Sequence, residues 1–156
     1  MSSLDDLYKE IILDHYRSAR NQGELAPPAH RCEGFNALCG DEIIVYVSLI
    51  DEKIEDIKIG GQGCSISQAS ASMMTEIIKG KSVTEAEEII HAFKEMMDIY
   101  ESELSGKEAE SSTSVIDLGD LEALQGVVKY PVRIKCATLA WNTLTQSIDE
   151  IQGLDN

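Results

Sequence analysis

The chain has 156 residues, 43% of them hydrophobic and 26% charged, and a formal net charge of -15. That length suits one domain, 1–156, with room for a single core, and the apolar and charged shares are those of an ordinary globular protein. The charge argues against nucleic acid and against an anionic membrane surface as partners, because both require clustered cations.

Ser3 and Asp6 make a capped helix start, and Leu4, Leu7, Tyr8, Ile11, Ile12, His15 and Tyr16 recur at helical spacing, so residues 3–19 read as an amphipathic helix. Asn21-Gln22-Gly23 ends it, and Pro27-Pro28 implies an extended connector. His30 to Phe35 reads as a short strand. Glu42 to Ile50 is rich in β-branched residues and reads as a second. After a turn at Asp51-Glu52-Lys53, Ile54, Ile57 and Ile59 continue into a third, which Gly60-Gly61-Gln62-Gly63 interrupts. Connections this short predict an antiparallel meander. A helix over Ser65 to Gly80 begins with small residues that let it lie close to a sheet. Thr84 caps another, about 85–104, whose buried side is Ile89, Ile90, Phe93, Met96, Met97 and Tyr100. Leu104 to Thr113 reads as a polar mobile loop, within a mobile insertion over about 101–118, and a short helix near 118–125 follows. Pro131 opens a last helix to about Gly153 with Ala137, Ala140, Trp141, Leu144, Ile148 and Ile151 facing the core. The fold class is therefore α+β, a small three-stranded antiparallel sheet with helices packed on it.

No segment reaches the roughly 18 apolar residues that span a bilayer. The N-terminus, Met1-Ser2-Ser3-Leu4-Asp5-Asp6, is acidic where a signal peptide is basic, so a cytoplasmic location is the expectation. Four cysteines in a reducing compartment read as ligands or reactive thiols rather than as disulfides. The stretch Glu85 to Glu122 holds twelve acids and two lysines, the pattern of a solvated face. By contrast Ala123 to Ile148 has no acid, and Lys129, Arg133 and Lys135 gather beside Cys136. Cations next to a cysteine favour its thiolate.

Cys39-Gly40-Asp41 places a thiol and a carboxylate on either side of a glycine, whose backbone freedom lets both point at one ion. Cys64 follows a glycine-rich turn and immediately precedes a helix, and Cys136 lies in the opening turns of the last helix. Helix N-termini stabilise thiolates. Cys39, Asp41, Cys64 and Cys136 would make a Cys3Asp set suited to zinc or thiophilic iron. Against this, the chain has no CxxC, and 71 residues separate Cys64 from Cys136. On spacing alone, buried structural cysteines carry more weight than a shared ion. Cys32 reads as structural, and His15 and His91 as core or boundary residues. His30 could approach the site but has no supporting pattern, and nothing orients a Cys–His pair for nucleophilic catalysis.

Three blocks add to this reading: Asn36-Ala37-Leu38-Cys39-Gly40-Asp41, then Gly60-Gly61-Gln62-Gly63-Cys64-Ser65-Ile66-Ser67-Gln68-Ala69-Ser70, then Arg133-Ile134-Lys135-Cys136-Ala137-Thr138-Leu139-Ala140-Trp141. With Tyr8-Lys9-Glu10-Ile11-Ile12-Leu13-Asp14-His15-Tyr16 they resemble, in order, the signature blocks of the NifU N-terminal/IscU/SufU family of iron–sulfur cluster assembly proteins. The resemblance implies a metal site built from Cys39, Asp41, Cys64 and Cys136. It differs from the scaffold branch in having Lys135 where that branch has a histidine, and Lys129-Tyr130-Pro131-Val132-Arg133 where that branch has Leu-Pro-Pro-Val-Lys. The stretch between Cys64 and Cys136 is also longer, and all three departures point to the SufU branch. Ala37 and Ser18-Ala19-Arg20 are smaller departures, where proline and Asn-Pro-Arg are common. The SufU branch implies a zinc-bound sulfur acceptor, at most a sulfurtransferase acting with a SufS-type cysteine desulfurase and not a stand-alone enzyme; Cys39, on a loop beside a glycine that gives a partner access, reads as the acceptor thiol. The alternative it implies is a scaffold on which a [2Fe–2S] cluster forms on Cys39, Cys64 and Cys136 and passes to apoproteins.

Overall fold

The computed structural model describes residues 3–37, 39–104, 118–129 and 131–154. In chain order these form α1 (Ser3–Arg17), β1 (His30–Asn36), β2 (Asp41–Ile50), β3 (Lys53–Gln62), α2 (Ser65–Ile78), α3 (Val83–Leu104), a 3-10 helix (Gly119–Lys129) and α4 (Pro131–Leu154). The sheet order is β1-β2-β3, both pairs antiparallel, as the short connections require. Asp51 and Glu52, with φ of 52° and 61°, turn β2 into β3 in the doubly left-handed geometry that matches strand twist.

The register decides which side chains meet the helices. Cross-strand partners share a face, so the rows Cys32–Val45–Ile59 and Gly34–Ile43–Gly61 point the same way. Ile43, Val45, Val47, Ile54, Ile57 and Ile59 on that face are all buried, against Ala69, Met73 and Met74 of α2 and Ala137, Ala140, Trp141 and Leu144 of α4. Phe93 of α3 stacks on Trp141, with ring centroids 4.4 Å apart and planes 15° apart. Trp141 Nε1–H donates to Ser70 Oγ at 3.0 Å, and Ser70 Oγ–H donates to the Ala137 carbonyl at 2.6 Å. The small residues Ser67, Ala69, Ser70, Ala71 and Ser72 are all buried, which is how α2 lies so close to its neighbours.

α4 reaches β1 through Gly34. A Cβ there would collide with Thr143 Oγ1 and stand 3.2 Å from Leu139 Cδ1, so only glycine admits the helix at this distance. Thr143 lies two helical turns beyond Cys136 on the same face of α4. That close approach therefore also carries Cys136 to the end of β1.

Five expectations need correction. Pro27 and Pro28 sit in a turn closed by Ala29 N–H to the Ala26 carbonyl at 3.2 Å, not in an extended connector. Gly60, Gly61 and Gln62 continue β3 opposite Ile44, Ile43 and Glu42 instead of ending it. The cap of α3 is Ser82, not Thr84: Ser82 N–H donates to Glu85 Oε1 at 3.2 Å and Glu85 N–H to Ser82 Oγ at 3.1 Å, a reciprocal capping box. On α1, Leu7 and Tyr16 are exposed, because this helix packs on α2 and the 3-10 helix and not on the sheet. His91 is exposed beside Glu95 rather than in the core or at its boundary. The expected mobile loop and insertion fall mainly outside the described residues, and Glu101 to Leu104 are the last residues of α3.

Candidate metal centre

Asn36 and Asp41 are the last cross-strand pair of β1 and β2, and the register puts both on the helix-covered face. After Asn36, Cys39 N–H donates back to the Asn36 carbonyl at 3.3 Å, a turn at Cys39. Asp41 is fully buried and Asn36 nearly so, whereas Cys39, on the turn, is half-buried. Cys64 is the N-cap residue of α2, with extended backbone (φ -70°, ψ 167°). Cys136 is fully buried in the second turn of α4.

These elements converge. Cys39 Sγ and Cys136 Sγ are 3.1 Å apart, and a carboxylate oxygen of Asp41 lies with both in a set whose members are all within 4.8 Å of one another. Cys64 stands outside that tightest set, its Sγ 3.9 Å from Asp41 Oδ2. The two carboxylate oxygens have different work. Oδ1 accepts the backbone N–H of Cys64 at 2.8 Å, which ties β2 to the start of α2. Oδ2 is turned to the thiols and receives Asn36 Nδ2–H at 3.4 Å. Asn36 Nδ2 is also 3.6 Å from Cys136 Sγ, so one amide orients two of the four candidate donors.

Gly63 is what gives Asp41 room. A Cβ on it would lie 2.5 Å from Asp41 Oδ1 and 2.6 Å from Ser67 Oγ. Asn36, Gly63 and Ser67 were not among the residues expected to build the site. All three fall inside the sequence blocks quoted above, so the signal was present but their type carries no ligand chemistry.

The electrostatics are those of a crowded, partly desolvated anion cluster. Burial alone would raise the Asp41 carboxyl, but the Cys64 N–H, the Cys136 thiol, the Ser67 hydroxyl and the Cys64 thiol all donate to it, and the net result is below its ordinary value. The Cys136 thiol is pushed far up, first by burial and then by the neighbouring Cys39, Asp41 and Cys64. Arg133, exposed one turn earlier on α4, is raised above its ordinary value by Cys64, then Cys136, then Cys39, so its positive charge faces this cluster. Cys39, Asp41 and Cys136 gather two sulfurs and a carboxylate oxygen within 4.8 Å of one another, with the Cys64 thiol beside them, donor types that a tetrahedral thiophilic metal uses. A cation in place of the thiol protons would offset both the burial and the neighbouring groups that hold Cys136 protonated.

The other titratable candidates separate from this cluster. Cys32 is buried in the sheet row with Val45, where burial raises its thiol, and is structural as expected. His30, at the far end of β1, bonds Glu150 Oε1 at 2.9 Å and does not approach the thiols. Lys135 is exposed on α4. His15 is buried, as read from its spacing, among polar partners taken up below.

Comparison with known proteins agrees with this architecture. The family model for the NifU-like N terminal domain matches residues 7–137. A protein of Bacillus subtilis (strain 168) named zinc-dependent sulfurtransferase SufU is 45% identical over 97% of this chain and 96% of its own. One of Streptococcus pyogenes serotype M1, named iron–sulfur cluster assembly scaffold protein IscU, is 38% identical over 95% of this chain and 86% of its own. Among solved structures, FiSufU from Fervidobacterium islandicum AW-1 superposes with a TM-score of 0.70 at 35% identity, covering 94% of this chain and 98% of that one. A NifU-like N-terminal domain from Brucella abortus shares the fold with a TM-score of 0.76 at 23% identity, covering 97% and 99%. By family match and by near full-length identity, the chain belongs to the NifU-like N-terminal domain family.

Proposed function

We propose that this chain is a zinc-bound sulfur acceptor in iron–sulfur cluster assembly, working with a cysteine desulfurase in the cytoplasm and passing sulfur on to downstream assembly proteins or apoproteins. The observation that carries this reading is the asymmetry of the thiols: Cys39 is half-buried on a turn, while its neighbour Cys136, 3.1 Å away, is fully buried in a helix. A partner's persulfide can reach the first and not the second. Cys39, Asp41, Cys64 and Cys136 would hold the zinc, which when bound keeps the thiols deprotonated and shielded from oxidation.

The residues divide the remaining work. The Cys39 thiolate attacks the terminal sulfur of the donor persulfide. A new S–S bond forms at Cys39 Sγ, the donor's S–S bond breaks, and the donor cysteine leaves as a thiolate, so no external oxidant or reductant is consumed. Asp41, anchored by the Cys64 N–H, keeps its place while Cys39 moves. Arg133 supplies positive charge beside the anionic sulfurs.

Freshly purified protein should carry about one zinc per chain and raise desulfurase turnover with cysteine as substrate, and Cys39→Ser should abolish the stimulation. A protein without metal that leaves desulfurase activity unchanged contradicts the reading. Relatives named as IscU scaffolds support a second reading, assembly and transfer of a [2Fe–2S] cluster on Cys39, Cys64 and Cys136. Asp41→Ala separates the two. A scaffold would gain cluster stability, whereas a sulfur acceptor would lose metal and activity.

A further inference from the structure

α1, α2 and the 3-10 helix meet at His15, whose imidazole is fully buried. Its Nδ1 lies 2.8 Å from Ser72 Oγ, and that oxygen also accepts the backbone N–H of Arg20 at 2.9 Å. Its Nε2 faces two carboxylates from different elements, Asp120 Oδ2 at 3.0 Å and Glu76 Oε1 at 3.5 Å. Both of those side chains are about half exposed. Arg20 is engaged chiefly with Asp14, at 2.8 Å, and its Nε stands 3.7 Å from Glu76 Oε1.

This geometry needs a proton or a cation between Nε2 and the two oxygens. With the ring hydrogen on Nε2, the hydrogen itself fills that role. With it on Nδ1, Ser72 Oγ is placed to accept it, and the Nε2 lone pair then points at the carboxylates. A hydrogen bond from the far ring nitrogen is the support that metal-bound imidazoles use. The spacing fits as well. Metal–donor bonds of about 2.1 Å place adjacent donors about 3.0–3.4 Å apart in octahedral or tetrahedral shells, and the observed separations are 3.0 and 3.5 Å. Asp14, Glu76 and Asp120 set three carboxylates against the Arg20 guanidinium around His15, an excess of negative charge. A cavity of about 250 Å³, lined by Met73, Glu76, Ile77, Leu118, Gly119 and Asp120 among others, adjoins them and can admit water ligands.

We propose that His15, Glu76 and Asp120 form a second cation site, separate from the thiol cluster, that takes a manganous or ferrous ion. One nitrogen and two carboxylate oxygens without a thiol favour that class, while the sulfur-rich site retains zinc. The proposal does not depend on sulfur transfer at Cys39.

The test is a Mn2+ titration of the full-length protein, with one equivalent of zinc present to occupy the thiols, read by the EPR signal of free Mn2+. The expected result is about one bound Mn2+ per chain, with a nitrogen hyperfine coupling from His15 in pulsed EPR of the wild-type protein. Glu76→Gln and Asp120→Asn, both at solvent-facing positions, should each weaken binding tenfold or more. Three results overturn the proposal: no Mn2+ bound at millimolar concentration, bound Mn2+ without nitrogen coupling, or affinity unchanged in both variants. The pulsed EPR result stands without any variant.

Discussion

Replacing Gly63 by alanine adds a single methyl group at the point where β3 hands over to α2, and the structure leaves no room for it. The new Cβ would sit 2.5 Å from Asp41 Oδ1, 2.6 Å from Ser67 Oγ and 3.1 Å from Asp41 Cβ. Asp41 is held from both sides, by β2 and by the Cys64 N–H, so it can yield only by breaking the 2.8 Å bond to Cys64. Losing a hydrogen bond to a buried charged group costs about 1.5–3 kcal/mol, and overpacking adds about 1–3 kcal/mol. We therefore expect Gly63→Ala to destabilise the metal-free protein by about 3–5 kcal/mol. It should also lose zinc to a competing chelator far faster than wild type. Urea unfolding followed by Trp141 fluorescence measures the first effect, and chelator competition the second. Gly40→Ala is the matched control. A Cβ there meets nothing within 4 Å, and only its φ of +68° resists a side chain. That strain is worth about 1–2 kcal/mol, and zinc retention should survive it. If Gly63→Ala matches wild type in both stability and zinc retention, the claim that this glycine fixes Asp41 is wrong.

Asn36→Ala removes the amide that orients both Asp41 and Cys136, and should weaken zinc retention by about tenfold or more while the fold persists; chelator competition reads it directly. Ser70→Ala leaves the Trp141 N–H and the Ala137 carbonyl without their shared partner, which should cost about 1–3 kcal/mol in urea unfolding. The capping box predicts a pH dependence. Ser82, through its N–H and then its hydroxyl, holds the Glu85 carboxyl below its ordinary value. A lowered carboxyl stabilises the fold above the unfolded-state value of 4.5 and loses that contribution as pH falls through the folded one. The melting-temperature difference between wild type and Glu85→Ala should therefore be largest near neutral pH and shrink toward pH 3.

The sheet was legible because β-branched runs separated by short turns leave few alternatives, and β1 and β2 begin and end within a residue or so of their expected bounds. The glycines were misread at one place. Gly60 and Gly61 look like a break, yet the ladder with Ile44 and Ile43 holds them in the strand. On α1 the helical period was right and Ile11, Ile12 and His15 lie inward, but Leu7 and Tyr16 are exposed, because what covers that helix is decided by residues far along the chain. His15 shows the reason: its partners Ser72 and Asp120 are 57 and 105 residues away. No local pattern carries such a contact. The converging thiols were likewise doubtful from spacing and became readable through the flanking blocks, which is also where the supporting Asn36 and Gly63 lie. Ser82 and Glu85 stand at capping-box spacing, so the true start of α3 is written in the local sequence two residues before Thr84.

The four candidate donors also differ in how much chain each would fasten. Cys39 and Cys136 are 97 residues apart, so a bridge between them closes a loop spanning most of the molecule. Constraints of that span remove about 4–5 kcal/mol of chain entropy from the unfolded state in the cross-link model. Asp41 lies almost beside Cys39 and fastens nearly the same loop. If Cys39 let go of a shared metal, Asp41, Cys64 and Cys136 would still keep the long loops shut. Letting go at Cys136 would instead remove the one donor that α4 supplies. By this measure Cys39 is the donor that the chain can release and recapture repeatedly without loosening the rest.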